Sequence, residues 1–298
     1  MEVVITGGAG FIGGHIALHL EERGFDVIVV DSLERASMTN YLKGRRIKVI
    51  TADLRGHVEV PCANVVIHAA AYVDVAESFE KPYDYFVNNV AVTSKIAKKA
   101  SECNAFVIYL SSAAVYGNPV YLPIDENHPT SPLSPYGLTK LMGEEVVKFY
   151  GKLGLQYAVM RLFNVYGPCQ NRAYAGVITK FVERVRQGLP PIIYGDGDQT
   201  RDFIHVDDVV KFIEMVLDKK PRGTFNVGTG RATSIRELAK LVIELAGIEA
   251  EPVYTSPRPG DIRHSVADIR RALSLGWKPR VELRSGIKSL IEGKSYCP

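Results

Sequence analysis

Gly7-Gly8-Ala9-Gly10-Phe11-Ile12-Gly13 lies between an apolar stretch, Val3-Val4-Ile5, and an amphipathic one that reaches about Arg23. Glycines at that spacing between a strand and a helix leave few folds open. An uninterrupted apolar strand marks a parallel sheet covered on both faces. Gly7 permits the tight turn out of the strand, Gly10 lets a pyrophosphate approach the backbone, and Gly13 allows close helix packing, with the helix N-terminus facing the anion. A second apolar strand, Asp26 to Val30, ends at Asp31, whose carboxylate can accept hydrogen bonds from both hydroxyls of an adenosine ribose and would repel a 2′-phosphate. The reading is a dinucleotide site for NAD rather than NADP, held by Gly7, Gly10, Phe11, Ile12, Gly13 and Asp31. Arg35 close by argues the other way.

The pattern then repeats. Ile47 to Ile50 is a third strand, and Asp53 and Leu54 at its carboxyl end lie where an open α/β sheet places ligand contacts. Asp53 is either an acceptor for an adenine amino group or a plain turn residue. Val65 to His68 is the fourth strand, followed by Ala69-Ala70-Ala71, small enough to pass beside a cofactor; the His68 ring itself reads as packed core. Pro82 opens a long helix to about Cys103 with Asn88 inside it, Val107 to Leu110 delivers Ser111 and Ser112 to the sheet edge, and Gln156 to Arg161 is strand six. This alternation specifies an α/β fold with a doubly wound, Rossmann-type parallel sheet. After Phe163 and Asn164 the alternation lapses, so a smaller interleaved α/β lobe is expected, with residues 1–163 and about 203–230 binding the dinucleotide and about 164–202 with 231–298 binding substrate.

Ser134-Pro135 is a capping hydroxyl followed by a residue preset for a first helical turn. Tyr136 and Lys140 then share a helix face. A phenol titrates near 10, and a fixed cation nearby favours its phenolate, so the pair can act as a base near neutral pH. Before it, Gly117 to Pro135 is a proline-rich loop of the kind that covers substrates.

The 298 residues are 46% apolar and 23% charged, enough for a large core. Lys and Arg exceed Asp and Glu by 36 to 33 with no basic block, which gives no case for nucleic acid. The cysteines at 62, 103, 169 and 297 show no metal or disulfide spacing and read as small buried hydrophobes. The chain enters a strand at once and has no long apolar run, so no membrane is expected and a cytoplasmic location is the simplest inference. Scarce glutamine hints at a thermophilic source. In the second half, Tyr194 opens a turn leading to Arg201, and Arg258 starts another, so the two arginines could clamp a diphosphate. His205 reads as structural, and Asp207 and Asp208 as caps.

Taken together, Thr6–Gly13, Asp53-Leu54, His68-Ala69-Ala70, Asn88-Asn89-Val90, Ser111–Gly117, Ser134–Lys140, Arg161–Gly167, Arg201-Asp202-Phe203 and Arg258–Asp261 resemble the extended short-chain dehydrogenase/reductase superfamily over nearly the whole chain. Within it the closest likeness is to the UDP-galactose 4-epimerase branch. That resemblance implies Ser112, Tyr136 and Lys140 as the catalytic triad; Asp53, Leu54, His68, Ala69, Ala70, Asn88, Ser111 and Phe163 among the NAD contacts; and Asn164, Tyr194, Arg201, Arg258, Asp261 and Ser265 around a UDP-sugar. It further implies inversion at the sugar's C4 through a transient 4-keto intermediate, a homodimer built on helix 82–103 and the catalytic helix, and no metal. UDP-N-acetylglucosamine and UDP-glucuronate epimerases share the triad, and a non-catalytic NAD-binding regulator would lack it. Dehydratases and decarboxylases carry acidic residues where this chain has Ala113 and Ala114. Ser265 stands where a bulky Tyr or a small residue decides whether an N-acetyl group fits.

Overall fold

The computed structural model describes residues 1–171, 174–257 and 262–293. In chain order the elements are β1 (Glu2–Thr6), α1 (Phe11–Glu22), β2 (Asp26–Asp31), α2 (Thr39–Leu42), β3 (Ile47–Thr51), β4 (Val65–His68), α3 (Val75–Glu80), α4 (Pro82–Phe86), α5 (Val92–Glu102), β5 (Phe106–Ser112), α6 (Pro135–Lys152), β6 (Gln156–Leu162) and β7 (Asn164–Tyr166). There follow α7 (Val177–Arg186), β8 (Ile192–Tyr194), β9 (Thr200–Arg201), β10 (Phe203–His205), α8 (Val206–Lys219), β11 (Gly223–Val227), β12 (Thr233–Ser234), α9 (Ile235–Ala246), β13 (Val253–Thr255), α10 (Arg270–Ser274) and α11 (Leu283–Glu292).

The main sheet has the order β11-β6-β5-β4-β1-β2-β3. β1 pairs in parallel with both β2 and β4, so the strand order reverses between β1 and β4, the place where doubly wound sheets bind ligands. Val3, Val4 and Ile5 are wholly buried, as an apolar run in a sheet covered on both faces must be. The chain divides into two compact units. One comprises 1–117, 130–162 and 210–225; the other comprises 118–129, 163–209 and 226–298. The first contains the expected alternation, and its core joins sheet residues such as Val4, Val66 and Val107 to Ile96 and Val147 from the helices.

The second unit is built otherwise. Among the described residues its strands are two or three residues long and form two-stranded ladders: β7 with β10, β9 with β12, β8 with β13. Such short strands expose much backbone, and the apolar faces of α7, α9 and α11 supply the core, with Phe181, Leu238, Val242 and Ile287 at its centre. α9 has a reciprocal capping box, Ser234 with Glu237, and ends at Gly247 in the left-handed region, φ 64°. Residues 118–129 are tied to this unit by Ile124, whose N–H donates to the Val266 carbonyl and whose carbonyl accepts from Asp268 N–H at 2.7 Å.

Two sequence expectations need correction. The helix expected over 82–103 is interrupted by a π-helical turn, Val87–Ala91, between α4 and α5. The cysteines are not unbridged: Cys62 and Cys103 form a disulfide with Cα atoms 5.5 Å apart, and no described cysteine is free. Cys62 precedes β4 and Cys103 follows α5, and these neighbouring parallel strands bring both entry points to one edge of the sheet, a juxtaposition that no spacing rule records. Among the described residues no helix is long and apolar enough to cross a membrane.

Candidate active site

The carboxyl end of β1 is shaped by steric exclusion. Gly7 has φ +69°, and a Cβ there would lie 2.6 Å from Ala70 Cα; at Gly13 it would lie 2.2 Å from the Gly7 carbonyl oxygen. Gly13 thus packs the helix onto the turn itself. At Gly10 a Cβ would meet only that carbonyl, at 3.3 Å, so the backbone is otherwise open there. α1, which begins with Phe11 and Ile12, carries no acidic residue in its first turn, leaving the positive end of the helix unopposed. Asp31 closes the loop above: its carboxylate accepts from Ala9 N–H at 3.0 Å and Leu33 N–H at 2.8 Å. Ser37, not singled out from the sequence, donates its N–H to the Ala9 carbonyl, and its hydroxyl oxygen is buried with no hydrogen-bond partner among the described residues.

Further along the sheet edge, the Asp53 carboxylate is gripped by Arg55 at 2.8–3.0 Å, which holds its pKa below the usual range, while Leu54 packs on the core. His68 is buried, with Nδ1 2.7 Å from Thr6 Oγ1 and Nε2 2.9 Å from Thr93 Oγ1. Burial, then the Lys140 charge, lowers its pKa to about 3, so the ring is neutral and both its nitrogens are engaged. Ala69 and Ala70 are half-buried beside Gly7. Asn88 is half-buried and donates its amide to Asn89 Oδ1 at 3.1 Å. Asn89 is the residue that the π turn carries inward: it accepts from Tyr72 N–H at 2.8 Å and donates to the Tyr72 carbonyl and to Thr139 Oγ1, each at 3.0 Å.

α6 starts as its sequence requires, with Pro135 in its first turn and Ser134 Oγ accepting from Gly137 N–H at 3.1 Å. The Ser112 hydroxyl at the end of β5 accepts from Ala114 N–H at 3.1 Å, in the turn against which α6 packs. Lys140, 4% exposed, lies one turn on with Nζ 4.6 Å from the centre of the Tyr109 ring. Burial lowers the Lys140 pKa to about 7 against the opposing charge of Glu144. Burial likewise pushes the Tyr136 phenol up, with the nearby Ser112 hydroxyl pulling it back only in part. The expectation that Lys140 draws Tyr136 down is therefore not met in the protein alone, because desolvation disfavours both charged forms at once.

Beneath this pair lies an ion pair absent from the sequence reading. Glu144, wholly buried, accepts from Arg161 Nε at 2.9 Å, Arg161 Nη2 at 2.7 Å, Ser111 Oγ at 2.6 Å and Lys148 Nζ at 3.2 Å. Burial raises the Glu144 pKa, but Arg161, Ser111 and Lys148 outweigh it and hold the carboxyl below its ordinary value. Ser111, expected at the cofactor, has its hydroxyl on Glu144 of α6. Glu144 follows Lys140 by four residues on one face, a spacing that could have marked it.

In the second unit, Phe163 is buried and Asn164 exposed; their N–H groups donate to the Val227 and Asp202 carbonyls, each at 3.0 Å. Tyr194 is half-exposed at the end of β8, Arg201 half-buried in β9, and Ser265 buried, its N–H donating to the Thr200 carbonyl. The fold thus brings Arg201 and Ser265 together, because Thr200 bridges His264. Arg258 and Asp261 lie outside the described residues. The organising group here is Asp202, also missed: it is wholly buried and accepts from Thr229 N–H, Thr229 Oγ1, Gly230 N–H and Ala267 N–H at 2.6–3.1 Å.

The strand order and the glycine turn define a dinucleotide-binding α/β protein, with Ser112, Tyr136 and Lys140 brought to one part of its sheet edge. Residues 3–228 match the model of the NAD dependent epimerase/dehydratase family, and the chain belongs to that family. A Methanocaldococcus jannaschii protein that carries the name UDP-glucose 4-epimerase only provisionally is 41% identical, with 97% of each chain covered. The crystal structure of Thermotoga maritima UDP-glucose 4-epimerase with UDP-glucose superposes with a TM-score of 0.91 at 35% identity, covering 98% of each chain. The UDP-N-acetylglucosamine 4-epimerase of Methanobrevibacter ruminantium, in complex with UDP-N-acetylmuramic acid, gives 0.90 at 34% identity, again covering 98% of each. The residues present fit the family's cofactor, NAD: the open backbone at Gly10, the uncapped start of α1, the Asp31 carboxylate and the buried, unpartnered Ser37 hydroxyl are complementary to a pyrophosphate and a ribose.

Proposed function

We propose that the protein inverts C4 of a UDP-hexose, interconverting UDP-galactose and UDP-glucose through a transient 4-keto sugar. The observation that carries this reading is Ser112 at the end of β5 beside α6, the helix that packs on that strand and carries Tyr136 and, one turn on, the buried Lys140. Tyr136 takes the proton of the 4-hydroxyl and later returns it, Ser112 hydrogen-bonds the same oxygen, and Lys140 holds the nicotinamide ribose. NAD, when bound, supplies the hydride acceptor and donor, and its positive ring favours the Tyr136 phenolate. Gly7, Gly10, Phe11, Ile12, Gly13, Asp31 and Ser37 hold the adenosine and pyrophosphate half. The first unit is thus the NAD-binding domain, and the second, through Asn164, Tyr194, Arg201 and Ser265 with Arg258 and Asp261, takes the nucleotide sugar.

Ala113 and Ala114, in the turn after Ser112, can neither donate nor accept a proton. Removal of water across C5 and C6 needs a further acid and base, so epimerisation without dehydration is the chemistry this edge supports. Phe79, Tyr83 and Phe86 leave an exposed apolar face on α3 and α4, and Leu138 and Phe149 do so on α6. That supports a C2 dimer through these helices, and a monomeric mass by light scattering at micromolar concentration would exclude it.

NMR of reactions with UDP-galactose, UDP-N-acetylglucosamine and UDP-glucuronate tests the reading; a 4-keto-6-deoxy product or released pentose would overturn it. Tyr136→Phe is expected to retain NAD and lose at least about a hundredfold in rate, the low end for removal of a general acid–base. Near-normal turnover in that variant would remove Tyr136 from the mechanism.

A further inference from the structure

Arg35 is the residue that, from sequence, argues against an NAD-only site. The loop that carries it is closed on Ala9 at both ends, by the Asp31 carboxylate on Ala9 N–H and by Ser37 N–H on the Ala9 carbonyl, so Arg35 belongs to the rim of the Asp31 pocket. Its guanidinium is committed elsewhere. Nη1 and Nη2 donate to the two carboxylate oxygens of Glu77 at 2.7 and 3.0 Å, and Cζ sits 3.7 Å from the centre of the Tyr72 ring.

Glu77 is itself fixed. The Lys81 ammonium lies 3.2 Å away, and the hydroxyl of the wholly buried Tyr85, shared with the Asp74 carbonyl, lies at 3.0 Å. The Arg35 hydrogen bonds, then Lys81 and Tyr85, lower the Glu77 pKa to about 2, so the clamp stays ionised throughout the neutral range. The neighbouring cation, Arg55, is held in the same manner by Asp53 at 2.8 Å and Glu34 at 3.1 Å.

We infer that Glu77 determines cofactor specificity: by clamping Arg35 against Tyr72 it withholds the cation that a 2′-phosphate beside Asp31 would need. A phosphate carries close to two negative charges and is matched by a planar, bidentate guanidinium. Asp31 repels such a group, and an Arg35 free to swing would offset that repulsion. With Arg35 bound to Glu77, the repulsion stands alone. Glu77 acts through Arg35, as a positioning residue. The inference rests on the dinucleotide reading of the glycine turn.

Calorimetric titration of the full-length protein, after removal of bound nucleotide, with 5′-AMP and with 2′,5′-ADP tests it. The wild type should bind 5′-AMP in preference to 2′,5′-ADP. Glu77→Gln should narrow that preference by about tenfold, the scale of one charge-assisted hydrogen bond gained, and Arg35→Ala in the Glu77→Gln background should restore it. A preference unchanged by Glu77→Gln, or a change that Arg35→Ala does not reverse, would overturn the inference while leaving the NAD site intact. Failure of the wild type to bind 5′-AMP at all would remove the dinucleotide reading and the inference with it. If Glu77→Gln does not fold, Glu77→Asp, which keeps the charge but shortens its reach by one methylene, must move the preference in the same direction.

Discussion

Glu144 in the first unit and Asp202 in the second are both wholly buried carboxylates, yet they are held in opposite ways. Glu144 faces cations, with Arg161 bidentate upon it and Lys148 at its edge, and its pKa is lowered against the pull of burial. Asp202 faces only neutral donors, two on Thr229 and one each on Gly230 and Ala267; burial outweighs them and its pKa is raised. The first unit, with its long sheet, has backbone hydrogen bonds to spare and uses a buried ion pair to support α6. The second, with strands of two or three residues, uses a carboxylate to gather backbone N–H groups that its ladders leave unpaired.

The largest effect expected from this difference is in the ion pair. Glu144→Gln leaves the Arg161 guanidinium buried without its counter-charge, and loss of about 3–5 kcal/mol of stability follows if the pair is as closed as its geometry. Chemical denaturation of the two proteins at neutral pH measures it. A loss well under 1 kcal/mol would mean that water reaches Arg161 and that α6 does not rest on a closed ion pair.

A smaller loss is expected at the neutral node. Asp202→Asn keeps one acceptor oxygen for Thr229 but turns an NH2 group toward Gly230 and Ala267 N–H, leaving donors unmatched at about 1–3 kcal/mol. The same denaturation series checks it. If Asp202→Asn proves the more damaging, then gathering backbone groups matters more to this protein than pairing charge.

Legibility from sequence divided between local features and tertiary ones. Gly7 and Gly13 were readable because a Cβ at either position would strike backbone, a constraint written in the residue itself. Ser134, Pro135, Tyr136 and Lys140 were readable because cap and face are local, period-bound features. Asn89 was not singled out beside Asn88 because a π turn adds an inward-facing amide, and periodicity assumes 3.6 residues per turn. Asp202, Arg35 with Glu77, and Cys62 with Cys103 were missed for a common reason: each joins residues far apart in sequence through tertiary contact. The Lys140 charge near Tyr136 was readable, but not that burial would disfavour both charged forms together.

The smallest effect is one of sign. The folded pKa of Glu144 lies below its unfolded value, so its contribution is fully present above the unfolded carboxyl value and is lost as pH falls through the lowered one. Asp202 runs the other way, since its folded pKa lies above the unfolded value: the cost of ionising it is full at neutral pH and is relieved as pH falls through the raised value. Between neutrality and the acid limit, the stability gap between wild type and Glu144→Gln should therefore narrow, while that between wild type and Asp202→Asn should widen. Paired urea titrations at successive pH values read both slopes on one protein background, which cancels every other titrating group. Two gaps moving in the same direction would show that the donors around Asp202 outweigh its burial, and that the two carboxylates differ in partners but not in the sign of what folding does to them.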